Sequence, residues 1–304
     1  MLISRRSFLK YCTTAAGALG LSASGLVRLQ EVLAAESAPP VIWLQGQGCS
    51  GCSVSLLNTI TDATIDDLLL NTIDLEYHST VMAASGDLAI AAAEAAYDRG
   101  GYVLVVEGAI PTAEGGHYCH VWPGMTVLDA VQKFSQTAAY VLAVGTCAAY
   151  GGIPGGQPNP TGAVGVSDVI GMENLVNLPG CPAHPDWIVG TIAHILADGA
   201  APALDNAGRP KDYYQKTVHS KCPNRAKNTA RLFAKELSDD GCLFRLGCKG
   251  QWTGADCPAR KWNSAGAGED GVNWCIGARN PCQGCTEPGF PDEMSPFYTL
   301  EQAR

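Results

Sequence analysis

The chain has 304 residues, enough for two domains, and 46% of them are hydrophobic, enough to bury a sizeable core. A formal net charge of −9 excludes the basic surface that binding to nucleic acid requires. After residue 40 no apolar run is long enough to span a bilayer, so no transmembrane anchor is expected in this chain.

Residues 1–35 read as a targeting segment and not as part of the fold. Ser4-Arg5-Arg6-Ser7-Phe8-Leu9-Lys10 is a twin-arginine motif, a weakly apolar stretch runs from Tyr11 to about Leu29, and Ala34-Ala35 offers a cleavage site. The twin-arginine route exports proteins already folded, often with cofactors inserted. It therefore predicts a periplasmic protein whose prosthetic groups are assembled before export.

Residues 41–200 alternate strand and helix patterns. Val41–Leu44 is a short apolar strand ending at Gly46-Gln47-Gly48-Cys49, followed by a helix from about Cys52 to Thr61. A second strand is expected over Thr72–Tyr77, an alanine-rich helix over Leu88–Tyr97, and a fully buried strand over Tyr102–Val106 that ends at Glu107-Gly108. Then come a helix over Val127–Phe134, a strand over Ala139–Val144 ending at Gly145-Thr146-Cys147, and a strand over Leu175–Leu178 ending at Pro179-Gly180-Cys181. A helix over Trp187–Leu196 closes the series. Short apolar strands alternating with helices imply a parallel sheet covered on both faces. Cys49, Glu107, Cys147 and Cys181 all fall just past the C-terminal ends of strands, the edge where open parallel sheets bind ligands.

After about residue 203 the pattern changes. Asp205–Pro210 is turn-rich, and residues 211–304 carry one convincing helical pattern, over about Asn228–Glu236. This segment shows little core of its own, so it is expected to fold around bound metal centres. Residues 288–298 read as an extended arm packing on a neighbour. The expected fold class is α/β: a flavodoxin-like parallel-sheet domain over 36–203, then a loop-rich cluster-binding domain over 204–304.

The cysteines carry the chemistry. Of thirteen, Cys12 leaves with the targeting segment. Eleven of the rest, with one histidine, divide into three sets of four: Cys49, Cys52, Cys147 and Cys181; His219, Cys222, Cys242 and Cys248; Cys257, Cys275, Cys282 and Cys285. Thiolates in fours hold iron–sulfur clusters or zinc, and disulfides are the third option for an exported chain. Three sets in succession favour an electron wire, since structural zinc rarely needs that arrangement. The imidazole of His219 in place of a thiolate makes its centre less negative and raises its potential. Cys119 is left over and is expected to be a buried or half-buried free thiol.

Gly46-Gln47-Gly48-Cys49-Ser50-Gly51-Cys52, Glu107-Gly108-Ala109-Ile110-Pro111, Gly145-Thr146-Cys147-Ala148-Ala149-Tyr150-Gly151-Gly152 and Pro179-Gly180-Cys181-Pro182 resemble the proximal-cluster loops of nickel–iron hydrogenase small subunits. His219-Ser220-Lys221-Cys222-Pro223, Gly247-Cys248-Lys249-Gly250 and Pro281-Cys282-Gln283-Gly284-Cys285-Thr286-Glu287-Pro288 resemble their distal and medial loops. Cys275 stands where most members have proline, and Val54 where many have glutamate; both features resemble the nickel–iron–selenium branch. Gly51 and Gly152 occupy the places of the two extra cysteines of oxygen-tolerant members. The resemblance implies three 4Fe-4S clusters: proximal on the Cys49 set, medial on the Cys257 set and distal on the His219 set. It also implies a large-subunit partner that splits hydrogen, and a multihaem cytochrome c as acceptor, met near His219 beside Lys216, Lys221, Arg225 and Lys227. This chain then carries the relay and no catalytic residue. A stand-alone iron–sulfur carrier or redox sensor is the alternative. The related fold in respiratory quinone reductases lacks the second and third sets.

Several other residues attract attention. His184 follows Cys181 closely and reads either as a neighbour of the first centre or as the first residue of a helix turn. Glu107 fits a subunit interface, a proton path or a partner for backbone N–H groups. His78, His117 and His120 read as loop histidines. Trp252, Trp262 and Trp274 are expected to shield sulfur and pack the loops.

Overall fold

The computed structural model describes residues 39–59, 65, 68–69, 73–262 and 274–298; the twin-arginine segment lies outside the described residues. The elements that position the cysteines are, in chain order, β1 (Pro40–Gln45), α1 (Gly51–Leu57), β2 (Asp74–His78), α2 (Asp87–Arg99), β3 (Val103–Glu107), α3 (Val127–Phe134), β4 (Tyr140–Val144), α4 (Thr146–Tyr150), β5 (Leu175–Leu178) and α5 (Pro185–Asp198). The strands form one sheet in the order β2–β1–β3–β4–β5 with every pairing parallel. That is the flavodoxin-like order, and its direction of winding reverses between β1 and β3. The crevice at such a reversal opens at the strands' C-terminal ends, between the loops that carry Cys49 and Glu107.

Side chains on a strand point alternately to the two faces. Val41 and Trp43 enter one core with Val105, Leu142 and Val144, while Ile42 and Leu44 enter the other with Leu104, Val106 and Phe134. Burial on both faces is why these strands read as unbroken apolar runs. The helices start and stop on local chemistry. Thr126 caps α3, its hydroxyl accepting from the Asp129 N–H at 3.0 Å. Pro185 opens α5, and Gly199 ends it in the left-handed conformation at φ 64°.

Residues beyond 203 do not build a core apart. Tyr213, Tyr214, Val218, Leu243 and Trp274 join the same cluster as Trp43, Trp187 and Ile192. The Trp187 and Tyr214 rings lie 4.9 Å apart, and Tyr214 donates to the Pro179 carbonyl at 2.8 Å. The loop-rich half thus hangs on α5 and on the loop that carries Cys181.

Two expectations for this half are corrected. The helix expected over Asn228–Glu236 is instead a single short helix, Arg225–Thr229. Arg231 turns left-handed at φ 57°, the Cys242 N–H donates to the Leu232 carbonyl, and the Ala234 N–H donates to the Cys242 carbonyl. Pairing with the Cys242 loop overrides local helix propensity there. Nor is the segment 288–298 an extended arm. It turns through a 3-10 helix at Asp292–Met294 and folds back on its own chain, with Phe290 buried against Phe297 and Asp292 accepting from the Gln157 N–H at 3.0 Å.

Candidate functional site

Three cavities each gather one of the cysteine sets. The first, about 440 Å³, is lined by Cys49, Cys52, Cys147 and Cys181, with Glu107 and Gly108 between them. Four loops at the C-terminal edge of the sheet therefore converge, as their strand-end positions predict. The turn before α1 runs through left-handed Ser50 (φ 59°), which lets Cys49 and Cys52 reach the same space. Gly145 closes the floor at φ +86°. A Cβ there would stand 2.5 Å from the Cys52 sulfur, so the backbone of the β4–α4 turn and the thiol fit together only without a side chain.

Glu107 is 4% exposed and fully engaged. Its Oε1 accepts from the backbone N–H groups of Cys52 (2.9 Å) and Ser53 (3.0 Å), and its Oε2 accepts from Trp43 Nε1 (3.0 Å), Gln45 Nε2 and the Ser53 hydroxyl. A carboxylate at the start of α1 suits the unpaired N–H groups there. Of its possible roles, the geometry shows the backbone anchor: Glu107 fixes the loop that presents Cys52. His78 supports this network and is not a loop histidine. It ends β2, is 1% exposed, stacks on Trp43 at 5.2 Å and shares a hydrogen bond with Ser53 at 3.1 Å.

The third set lines a cavity of about 680 Å³ that contains Cys257, Cys275, Cys282 and Cys285, walled by Trp274 and Phe290. Cys181 lines this cavity as well as the first. Thr146, buried beside Cys147, ties the two together: its hydroxyl donates to the Cys285 carbonyl and accepts from the Gly180 N–H at 2.9 Å. Cys257 is held by its neighbour Asp256, which accepts from Trp187 Nε1 on α5 at 2.9 Å and from Arg260, itself bound to Asp186. Nothing in the spacing of the sequence marks Thr146 or Asp256.

His219, Cys222, Cys242 and Cys248 line a cavity of about 320 Å³. The N–H of Lys249, the residue after Cys248, donates to the Cys282 carbonyl at 2.7 Å, so the second and third sets also adjoin. The three cavities therefore follow one another as first set, third set, second set. His219 is half-buried, and burial, then Arg225, lowers its pKa, which favours the neutral imidazole that can ligate. Lys216, Lys221 and Arg225 are exposed nearby, whereas Lys227 is ion-paired with Asp240.

The twelve described cysteines are free thiols. Burial raises most of their pKa values, Cys147 to about 11 and Cys285 to about 12. Neighbouring sulfurs raise them further: Cys181 and Cys49 act on Cys147, Cys275 on Cys285. Gathering buried thiols whose ionised forms repel one another is favourable only when cations come between them. Single-ion zinc requires sulfurs about 3.8 Å apart, from Zn–S bonds of about 2.3 Å. The thiols of each set stand around the walls of a cavity of several hundred cubic ångströms, room for a multinuclear cluster.

The remaining candidates find other places. His184 caps α5: its Nδ1 accepts from the Asp186 N–H at 3.1 Å, which leaves Nε2–H to donate to the Lys261 carbonyl at 2.6 Å. Burial lowers its pKa, and protonating Nδ1 would destroy the cap. A depressed value means that this contribution to stability is fully present above about pH 6.5, the unfolded histidine's pKa, and is lost as pH falls below it, because the unfolded chain takes the proton first. Anaerobic thermal unfolding at about pH 7.5 and about pH 5.5, either side of that value, tests this. The midpoint should drop with pH, and His184→Asn, which keeps a cap without titrating, should flatten the drop. An equal drop in both proteins removes His184 as its source.

His117 and His120 are exposed on a hairpin with rings 5.1 Å apart, and neither lines any of the three cavities. Cys119 is half-buried and outside the three sets, and burial raises its pKa. Among the tryptophans only Trp274 lines a cysteine cavity; Trp262 lies against His184 at 4.6 Å, and Trp252 sits at the surface near Phe244. No helix among the described residues is long and apolar enough to cross a membrane.

Known families and structures resemble this chain. The family described as NADH ubiquinone oxidoreductase, 20 Kd subunit, matches residues 49–195, and the C-terminal family of the NiFe/NiFeSe hydrogenase small subunit matches residues 214–298. The chain is 42% identical to the periplasmic NiFeSe hydrogenase small subunit of Desulfomicrobium baculatum, over 99% of this chain and 100% of that protein. It is 41% identical to the periplasmic NiFe hydrogenase small subunit of Solidesulfovibrio fructosivorans, over 97% and 93% respectively. The crystal structure of a reduced, active form of the Ni-Fe-Se hydrogenase from Desulfomicrobium baculatum contains a chain that superposes with a TM-score of 0.81 at 43% identity, over 87% of this chain and 100% of that one. The first family match alone is shared with quinone-reducing enzymes; the second, together with near full-length identity, places this chain in the NiFe/NiFeSe hydrogenase small-subunit family.

Proposed function

We propose that this chain is the electron-relay subunit of a periplasmic hydrogenase, exported by the twin-arginine route and paired with a large subunit that splits hydrogen. One observation carries the reading: three successive cavities, each lined by one complete ligand set and joined through Cys181 and through the Lys249–Cys282 backbone hydrogen bond. Bound there, three 4Fe-4S clusters supply successive one-electron sites. Cys49, Cys52, Cys147 and Cys181 hold the proximal one; Cys257, Cys275, Cys282 and Cys285 the medial; His219, Cys222, Cys242 and Cys248 the distal.

The chain's own residues set the direction. Exposed Val54 on α1 and Ile153 beyond α4 flank the first cavity, a surface suited to cover by the large subunit. Trp274 and Phe290, both buried, form apolar walls of the middle cavity. At the far end, half-buried His219 faces a surface that bears Lys221 and Arg225, with Leu232 60% and Trp252 42% exposed. Cations around an apolar patch suit brief docking of a multihaem cytochrome c.

Anaerobic purification of the chain with whatever accompanies it tests the proposal. The expected product is a heterodimer with about twelve irons per small chain, four for each site, that reduces a viologen dye with hydrogen. A single stable chain with full iron and no hydrogen-dependent activity would overturn it in favour of a stand-alone carrier.

A further inference from the structure

Lys249 is among the largest fully buried side chains, 1% exposed, and its Nζ has no hydrogen-bond partner among the described residues. A buried ammonium without a counter-charge is costly, so it persists where negative charge is supplied by something else. Its backbone lies between the second and third ligand sets. Lys249 directly follows Cys248 of the second set, and its N–H donates to the carbonyl of Cys282 of the third set at 2.7 Å. Its carbonyl accepts from the Thr253 hydroxyl at 2.8 Å, and that hydroxyl lies 3.5 Å from the Cys282 sulfur. Two carboxylates of this half are engaged elsewhere: Glu287 with Arg209 and the Gly254 N–H, Asp256 with Arg260.

We propose that Lys249 is a fixed counter-charge at the junction of the second and third ligand sets, holding the centres there at a higher potential than their thiolates alone would give. The inference rests on the relay reading above. Each electron taken from hydrogen adds one negative charge to a centre on arrival, and the same charge leaves when the electron moves on. A permanent cation beside the path offsets that added charge and so favours the reduced form, a tuning effect exerted from outside the ligand set. It acts through charge alone, and no proton moves.

The test is an anaerobic redox titration of the intact heterodimer, followed by electron paramagnetic resonance, on wild type, Lys249→Met, Lys249→Gln and Lys249→Arg. At the wild-type midpoint potential, the reduced-to-oxidised ratio of the third-set or second-set centre should fall at least tenfold in the methionine variant, equivalent to about 59 mV for one electron. Arginine should hold the ratio within about twofold of wild type, and the first-set centre should not move; these limits are a small fraction of the same tenfold scale. A methionine variant with full iron and an unchanged ratio overturns the proposal. So does an arginine variant shifted as far as methionine, or an equal shift at all three centres, since each outcome points to shape and not charge. If methionine prevents iron loading, glutamine carries the comparison. Loading with arginine but with neither neutral residue supports the need for charge, and failure of all three variants overturns it. A wild-type protein without these paramagnetic centres would instead sink the relay reading itself.

Discussion

Gly145→Ala should remove the first centre while leaving the other two. The added methyl group would stand 2.5 Å from the Cys52 sulfur, far inside contact distance, and the residue would be held at φ +86°, which disfavours any side chain. The left-handed strain alone is worth about 1–2 kcal/mol. The collision weighs more, because neither partner can yield: Cys52 is buried, its N–H is held by Glu107, and the Gly145 N–H is bound to the Leu178 carbonyl at 2.9 Å. Iron analysis should show a loss of about one third, one site of three equal ones. Hydrogen-dependent dye reduction should collapse, since in the proposed relay electrons enter at the first centre. Full iron with an unchanged spectrum would mean that the β4–α4 turn relaxes, and that the tight fit at Gly145 does not govern loading.

That fit is only partly readable in the sequence. Glycine beside each strand-end cysteine is visible, and so is the parallel sheet, because both depend on local residues: short apolar runs, and breakers at their ends. Cys49, Cys147 and Cys181 can be assigned to one edge on that basis. What local pattern cannot carry is the neighbourhood of the three sets. Cys181 serves as a wall of two cavities because Thr146 ties its loop to Cys285, a contact between residues 139 apart. The core of the C-terminal half is hidden for a related reason. Tyr213, Tyr214, Val218 and Leu243 are scattered among loops without period, and become a core only against Trp187 and its helix. Asn228–Glu236 reads as helical because its composition is helical, but the Cys242 segment claims its backbone. His78 reads as a loop residue for want of any sign that Ser53 and Trp43 enclose it.

Cys275→Pro should convert the third centre from four irons to three. The thiol of Cys275 lines the cavity with the buried Cys282 and with Cys285, and it is one of the two members of its set that the sequence supplies outside the Cys282–Cys285 pair. Proline removes that ligand and adds little else. Among the described residues the Cys275 N–H donates to no backbone carbonyl, and its φ is not positive, so the ring breaks no backbone bond among the described residues. The turn that follows, closed by the Asn280 N–H on the Cys275 carbonyl at 2.8 Å, survives. A site left with three ligands and no fourth donor is expected to hold three irons, and an oxidised three-iron cluster carries an odd electron where its four-iron counterpart has none. Low-temperature paramagnetic resonance of the oxidised heterodimer should therefore gain a signal that wild type lacks, and iron should fall by about one atom per chain. An oxidised variant that stays silent and keeps all its iron would strike Cys275 from the ligand set. The third cavity would then need its fourth ligand from elsewhere, with Asn280, Gln283, Thr253 and Thr286 as the side-chain oxygens that line it.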